Sequence, residues 1–173
     1  PCRSHENRFL RCFAPETVHA LLLGLDENYP LLILNLYGPV LAAALECDPR
    51  AELIAIHDGA RPWVSQKSLD ALLDALEKNP ACLLMVPAKE TVKIVEKGIV
   101  KQTLKRGQLW MAQTPQAFDT RLIISCYKKA ADLSIEATDD AQVVEETCDM
   151  PVMCVKGSYD NIKITTREDL KGK

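Results

Sequence analysis

The stretch that most constrains this chain runs from Glu52 to Gly59. Leu53, Ile54, Ala55 and Ile56 are apolar without interruption, and the run stops abruptly at His57-Asp58-Gly59. A strand with one wet face alternates apolar and polar residues, whereas an unbroken apolar run suits a strand covered on both faces. Covering both faces of a sheet takes helices, so the expectation is an α/β fold with a mostly parallel sheet.

The neighbouring segments agree. Ser65 is placed to cap a helix with Leu69, Leu72, Leu73 and Leu76 on one face, stopped by Asn79-Pro80. Cys82 to Val86 reads as the next strand. Thr91 to Leu104 reads as two short alternating strands around Glu96-Lys97-Gly98, a hairpin signal. Asp119 can cap a helix with Ile123, Cys126, Tyr127 and Ala130 on one face. Thr138 can cap another, with Asp139 and Asp140 in its first turn, where the helix dipole favours acids. Pro151 to Val155 and Asn161 to Thr165 read as the last strands, and Thr166 with Asp169 as a capping box for a terminal helix. Earlier in the chain, Thr17 to Leu25 is expected to be a helix, Leu31 to Leu36 a buried strand, and Val40 to Glu46 a short helix. A chain of 173 residues favours a single domain. Residues 1–39 stand apart in character, as an atypical or truncated start.

Composition narrows the function classes. The net charge of −3 gives no global basic footprint for nucleic acid. No apolar run is long enough to span a bilayer and the first residues are polar, so a cytoplasmic location without membrane partners is expected. Seven cysteines without CxxC spacing argue against a disulfide framework or a zinc site. Cys82, Cys126 and Cys154 lie in apolar segments and are expected to be buried.

Four groups of residues can do chemistry. Asp58 and Arg61 follow the constraining strand, where open α/β sheets bind ligands. An Asp there can hold a hydroxyl or a metal ion, an Arg can grip phosphate, and Gly59 allows close backbone approach. The second group lies between Arg106 and Phe118. Gln113 and Thr114 are uncharged donors suited to polyol oxygens, while Trp110 and Phe118 read as core around a turn. Thr138 heads the third group and Lys163 the fourth. A lysine beside a phosphate site acts as a point charge for phosphoryl oxygens.

HDGARP (57–62), VPAKETVK (86–93), LWMAQTPQAF (109–118), TDDA (138–141) and GSYDNIKIT (157–165), in this order and spacing, resemble the methylerythritol phosphate cytidylyltransferase family of the non-mevalonate isoprenoid pathway. The resemblance runs from about residue 40 to about residue 170. It implies a Rossmann-like fold, CTP as co-substrate, a divalent metal (normally magnesium), and a homodimer whose hairpin arm (91–104) reaches into the partner's active site. It implies that Lys163 and Asp58 are catalytic, with Asp58 also the metal residue. Asp58, Gly59, Arg61, Thr91, Arg106, Thr114 and Thr138 would bind substrate, Thr91 and Arg106 serving the neighbouring subunit's site. The implied reaction transfers CMP to a sugar-alcohol phosphate and releases pyrophosphate.

Two departures stand out. Glu90 occupies a position where the family usually has Asp. The family's glycine-rich AAGxGxR loop and the lysine after it, which hold the CTP phosphates, have no recognisable counterpart. Only Gly24 and Gly38 precede Gly59, and no lysine precedes Lys67. Two other readings remain open on these grounds: a ribitol phosphate cytidylyltransferase, and a non-catalytic remnant that binds no CTP.

Overall fold

The computed structural model describes residues 51–170, together with the backbone of three strands that precede them, β1 (Arg8–Phe13), β2 (Val18–Gly24) and β3 (Pro30–Leu36). There follow β4 (Leu53–His57), α1 (Gln66–Leu76), β5 (Ala81–Pro87), β6 (Lys93–Glu96), β7 (Ile99–Thr103), β8 (Trp110–Asp119), α2 (Thr120–Asp132), α3 (Asp140–Thr147) and β9 (Met153–Lys156).

The large sheet has the order β1-β2-β3-β4-β8-β5-β9. Strands β3 and β4 pair in parallel, as do β5 and β9, and the remaining pairs are antiparallel. The expectation of a mostly parallel sheet therefore holds for strand direction and fails for pairing. Strands β1, β3, β4, β5 and β9 run one way, but β8 is threaded in reverse between β4 and β5.

Both faces are covered, as the apolar run at β4 requires. Ile54 and Ile56 point into one core with Phe118, Ile123, Cys126, Val143 and Val144, beneath α2 and α3. Ala55 points the other way, into a core with Leu72, Leu76, Cys82, Leu84, Ala117 and Val155 beneath α1. Ile54, Leu84 and Phe118 are each wholly buried, and burying such a side chain stabilises by roughly 1.5–3 kcal/mol. Ser65 caps α1 and Asp119 caps α2, as their positions predict.

Several expectations are corrected. Val18–Gly24 is a strand where a helix was expected, because it pairs with β1 and β3 on both sides. Pro30–Leu36 is a strand, its side chains lying outside the described set, as does the expected helix at 40–46. Asp139 caps α3 in place of Thr138, accepting from the Gln142 amide. Asn161 to Thr165 forms a loop, with Ile164 N donating to the Ala60 carbonyl at 2.8 Å. The expected terminal helix is a 3₁₀ turn at Glu168–Leu170, in which the Asp169 carboxylate accepts from both the Thr165 and Thr166 amides. Trp110 to Phe118 is strand rather than turn; Phe118 is core but Trp110 is exposed. Cys82 and Cys126 are buried, whereas Cys154 is exposed. Among the described residues no helix is long and apolar enough to cross a membrane.

Strands β6 and β7 form a separate two-stranded sheet, every residue of which is exposed. Lys97 (φ 50°) and Gly98 (φ 78°) make its turn. Positive φ at both central residues matches the twist of the flanking strands, and glycine adopts it without a steric penalty.

Candidate active site

Because β4, β5 and β9 run in one direction and β8 in the other, one end of the sheet collects four chain segments. These are the residues after β4, after β5 and after β9, and the first half of β8. Asp58, Thr114 and Lys163 all belong to segments at this end, the position at which open α/β sheets bind ligands.

Thr114 arrives there through an irregularity. Leu83 on β5 faces Gln116, but Met85 faces Ala112, so three residues of β8, Gln113-Thr114-Pro115, stand opposite Leu84 alone. Proline cannot donate to a ladder and is confined within sheets to such bulges and to edges. Here the bulge turns the Thr114 hydroxyl onto the end of β4. Thr114 Oγ1 accepts from the Asp58 amide at 2.9 Å and lies 3.0 Å from His57 Nδ1. His57 Nε2 lies 3.0 Å from the Arg61 carbonyl, which can only accept, so the ring proton sits on Nε2 and Nδ1 receives the threonine proton. Burial, with the Arg61 charge, lowers the His57 pKa and outweighs the Arg61 carbonyl and the Asp58 charge, which favour protonation.

Asp58 and Lys163 form an ion pair, Oδ2 to Nζ 2.8 Å, with the aspartate side chain 20% exposed and the lysine 51%. Asp58 Oδ1 accepts from the Ala60 amide at 3.0 Å, and the 58–61 turn is closed by Arg61 N to the Asp58 carbonyl at 2.9 Å. Burial works to raise the Asp58 pKa. The Lys163 bond, the Ala60 amide and the charges of Lys163 and Arg61 together outweigh it and hold the carboxylate below its ordinary value.

Asn161 ties these pieces together. It is wholly buried; its Nδ2 donates to the Thr114 carbonyl at 2.8 Å, and its own carbonyl accepts from Arg61 Nη1 at 2.7 Å. Gln113 Nε2 donates to the Ser158 carbonyl at 2.9 Å and to the Asn161 carbonyl at 3.3 Å. Gln113 is thus buried scaffold, where sequence suggested a donor to polyol oxygens. Tyr159 straps the same loop onto β5, its hydroxyl donating to the Pro87 carbonyl at 2.7 Å, and Lys89 lies over its ring.

Gln116 connects this end to α3. Its Nε2 donates to Asp139 Oδ2 at 3.0 Å and its Oε1 accepts from the Ala141 amide at 2.8 Å. Thr138 is exposed just ahead of α3, and both its amide and its hydroxyl donate to Gln142 Oε1. Thr91 and Arg106 are exposed at the base of the hairpin arm, Arg106 in the 3₁₀ turn that follows it, with Arg106 Nη1 donating to the Lys89 carbonyl at 3.3 Å. The expected residues thus form one cluster (Asp58, Gly59, Arg61, Thr114, Lys163), one position just ahead of α3 (Thr138) and one pair at the base of the arm. Sequence reasoning missed the connecting roles of His57, Gln116 and Asn161. Each sits inside or beside a motif, and nothing in residue type alone separates a buried connector from a ligand contact.

Among the described residues no three His, Cys, Asp or Glu side chains converge to hold a metal ion. Magnesium is commonly bound by one or two carboxylates plus substrate phosphates, with waters completing its shell. Asp58, a carboxylate held ionised at the cleft, fits that donor set.

A family model described as 2-C-methyl-D-erythritol 4-phosphate cytidylyltransferase matches residues 39–172. The enzyme of that name from Syntrophus aciditrophicus is 48% identical over 120 residues, 69% of this chain and 51% of that protein. The one from Halalkalibacterium halodurans is 44% identical over 128 residues, 74% of this chain and 56% of that protein. This chain therefore spans about half the length of the curated relatives it matches. Among solved structures, 4-diphosphocytidyl-2C-methyl-D-erythritol synthase from Anaerococcus prevotii superposes with a TM-score of 0.70 at 39% identity, covering 75% of this chain and 60% of that one. The cytidylyltransferase from Thermus thermophilus gives 0.70 at 30% identity, covering 76% and 64%.

Proposed function

The chain belongs to the 2-C-methyl-D-erythritol 4-phosphate cytidylyltransferase family, and we propose that it carries the alcohol-phosphate side of a site that transfers CMP from CTP to methylerythritol phosphate. The observation that carries this reading is the Asp58–Lys163 pair at the carboxyl end of β4, joined to Thr114 through the Asp58 amide. It offers acceptors for hydroxyls beside a cation for phosphate oxygens.

In the proposed reaction a phosphate oxygen of the polyol phosphate attacks the α-phosphorus of CTP and pyrophosphate leaves. Such transfers depend on alignment and charge neutralisation rather than on a covalent enzyme intermediate. Lys163 neutralises charge at the α-phosphate. Asp58 orients a substrate hydroxyl and is the residue that would hold magnesium, which when bound supplies further neutralisation at the phosphates. Arg61, anchored on the Asn161 carbonyl, orders the 58–61 turn that carries Gly59. Thr138, just ahead of α3, is the further residue assigned to substrate. The chain is taken as one domain acting as a cytoplasmic homodimer, in which Thr91 and Arg106 of each arm serve the partner's site. The names of the relatives favour methylerythritol phosphate over ribitol phosphate.

The test is calorimetric binding of methylerythritol phosphate and of ribitol phosphate to this chain, alongside pyrophosphate release with CTP and magnesium. Methylerythritol phosphate is expected to bind more tightly, and Lys163→Ala is expected to lower any turnover about a hundredfold. Binding of neither polyol phosphate would overturn the reading. Binding without turnover would assign the chain the non-catalytic role.

A further inference from the structure

Thr114 has a single hydroxyl proton and two lone pairs. In the neutral imidazole that proton goes to His57 Nδ1, 3.0 Å away, because the opposite ring nitrogen donates to the Arg61 carbonyl and only one ring nitrogen carries hydrogen. One lone pair takes the Asp58 amide at 2.9 Å. What remains on the hydroxyl for a ligand is one lone pair and no proton. The Asp58 carboxylate beside it is likewise an acceptor, with Oδ1 on the Ala60 amide and Oδ2 on Lys163.

We infer that His57 is a positioning residue that makes Thr114 an acceptor toward ligand, so that the Thr114 hydroxyl selects a hydroxyl donor. The inference rests on the proposed polyol-phosphate function and deepens it. Asp58 and Thr114 form a wall of acceptors matched to polyol hydroxyls. The phosphate is left to Lys163, which approaches the Asp58 carboxylate from its Oδ2 side at 2.8 Å. A fluorine facing the Thr114 lone pair receives no proton from it. The His57 contact to the Arg61 carbonyl fixes this polarity from behind, and the 58–61 turn closes the circuit through Arg61 N and the Asp58 carbonyl. His57 itself has no need to touch the substrate.

A purely structural role for His57 would weaken every ligand alike, whereas the proposed role governs a ratio. The probes are methylerythritol phosphate and the analogues in which each free hydroxyl is replaced in turn by fluorine, which accepts but cannot donate. Binding is measured by calorimetry to the whole chain. In the native sequence at least one fluoro analogue is expected to bind roughly tenfold more weakly than the parent, the value of one hydrogen bond lost with its acceptor left unpaired. In His57→Leu the Thr114 hydroxyl is free to rotate and donate, so that ratio is expected to fall toward one. His57→Asn, which offers an amide oxygen where Nδ1 stood, is expected to retain it. An unchanged ratio in His57→Leu overturns the inference and leaves the proposed function standing. Failure of the native chain to bind any of these probes removes both. Should His57→Leu not fold, ¹⁵N spectra of the native imidazole decide. A proton on Nε2, with Nδ1 accepting in the complex, supports the inference, and a proton on Nδ1 overturns it.

Discussion

At the scale of single residues, the site is a set of buried connectors carrying a few exposed groups. Asn161→Ala removes the amide that holds the Thr114 carbonyl, at a position wholly shielded from water. Leaving such a group unpaired costs about 1–3 kcal/mol, so the variant is expected to lose that much stability in urea unfolding and to weaken polyol-phosphate binding with it. Asp140 supplies a pH test. Burial raises its pKa and Asp139 adds to this, against the Tyr127 hydroxyl, whose hydrogen bond favours the charge. A raised carboxyl pKa means that the folded state prefers the acid form. Its stabilising effect is complete below the unfolded value of 3.8 and is lost as pH rises through the higher folded value. Asp140→Asn does not titrate, so its melting temperature relative to the native chain should climb as pH rises from below 3.8 through the higher folded value; each tenfold difference in proton affinity between the folded and unfolded chain is worth about 1.4 kcal/mol. A flat difference would show that Asp140 is solvated. Asp58 and Arg61 were legible in sequence because the apolar run of β4 stops abruptly before them, whereas Thr114 and Lys163, in a bulge of β8 and a loop, stood out only through the blocks that contain them. Asn161, Gln113 and Gln116 were not, because burial depends on the bulge in β8 and on the return of the 157–163 loop, both set by distant pairing.

At the scale of elements, periodicity was reliable wherever one face met a core. Leu72 and Leu76 on α1, and Ile123, Cys126 and Ala130 on α2, are buried at the spacing that their sequence shows. It failed where an apolar run was too short to carry a period. Val18–Gly24 has leucines that suit a helix face or a strand equally, and pairing with β1 and β3 decides for strand. Asn161 to Thr165 alternates like a strand, yet side-chain anchors hold it as a loop. The β6–β7 hairpin was fully legible because its turn chemistry is local, with Lys97-Gly98 at positive φ. Its surface is less ordinary. Val95 is 55% exposed, Ile99 63% and Val100 56%. A lone two-stranded sheet is at best marginally stable in water, and Val95 and Val100, paired across the strands on one face with Ile99 on the other, leave apolar surface that marks a contact. The expected cover is a second copy of the chain. Val95→Lys with Ile99→Lys should shift sedimentation from dimer to monomer while leaving the far-ultraviolet circular dichroism of the main sheet intact. A native chain that sediments as a monomer would remove the shared-site arrangement.

At the scale of the whole molecule, the question is whether the sheet that builds the proposed polyol-phosphate corner also builds a nucleotide-phosphate cradle. A triphosphate brings several negative charges that have to be met together. A cradle is commonly made by a strand running through a glycine-rich turn into a helix, whose free amides face the anion. The first three strands leave little room for one. Strand β1 ends at Phe13 and β2 begins at Val18, and β2 ends at Gly24 with β3 beginning at Pro30. Both connections join antiparallel neighbours over a few residues, whereas a helical crossover needs a dozen or more. Gly24 stands in register with Pro30 at the end of such a pair. The parallel step from β3 to β4, across residues 37–52, is long enough, but it contains one glycine, Gly38, and one cation, Arg50. In the proposed site, Lys163 and the metal ion that Asp58 would hold are then left to meet most of the charge. Losing one preorganised donor at a developing charge typically costs about a hundredfold or more in rate. Steady-state turnover of CTP with methylerythritol phosphate and magnesium on this chain is therefore expected to lie far below the roughly ten per second of a typical enzyme, while methylerythritol phosphate alone still binds. Turnover near that typical rate would mean that the residues before β4 assemble a phosphate site by a route other than a glycine-rich loop.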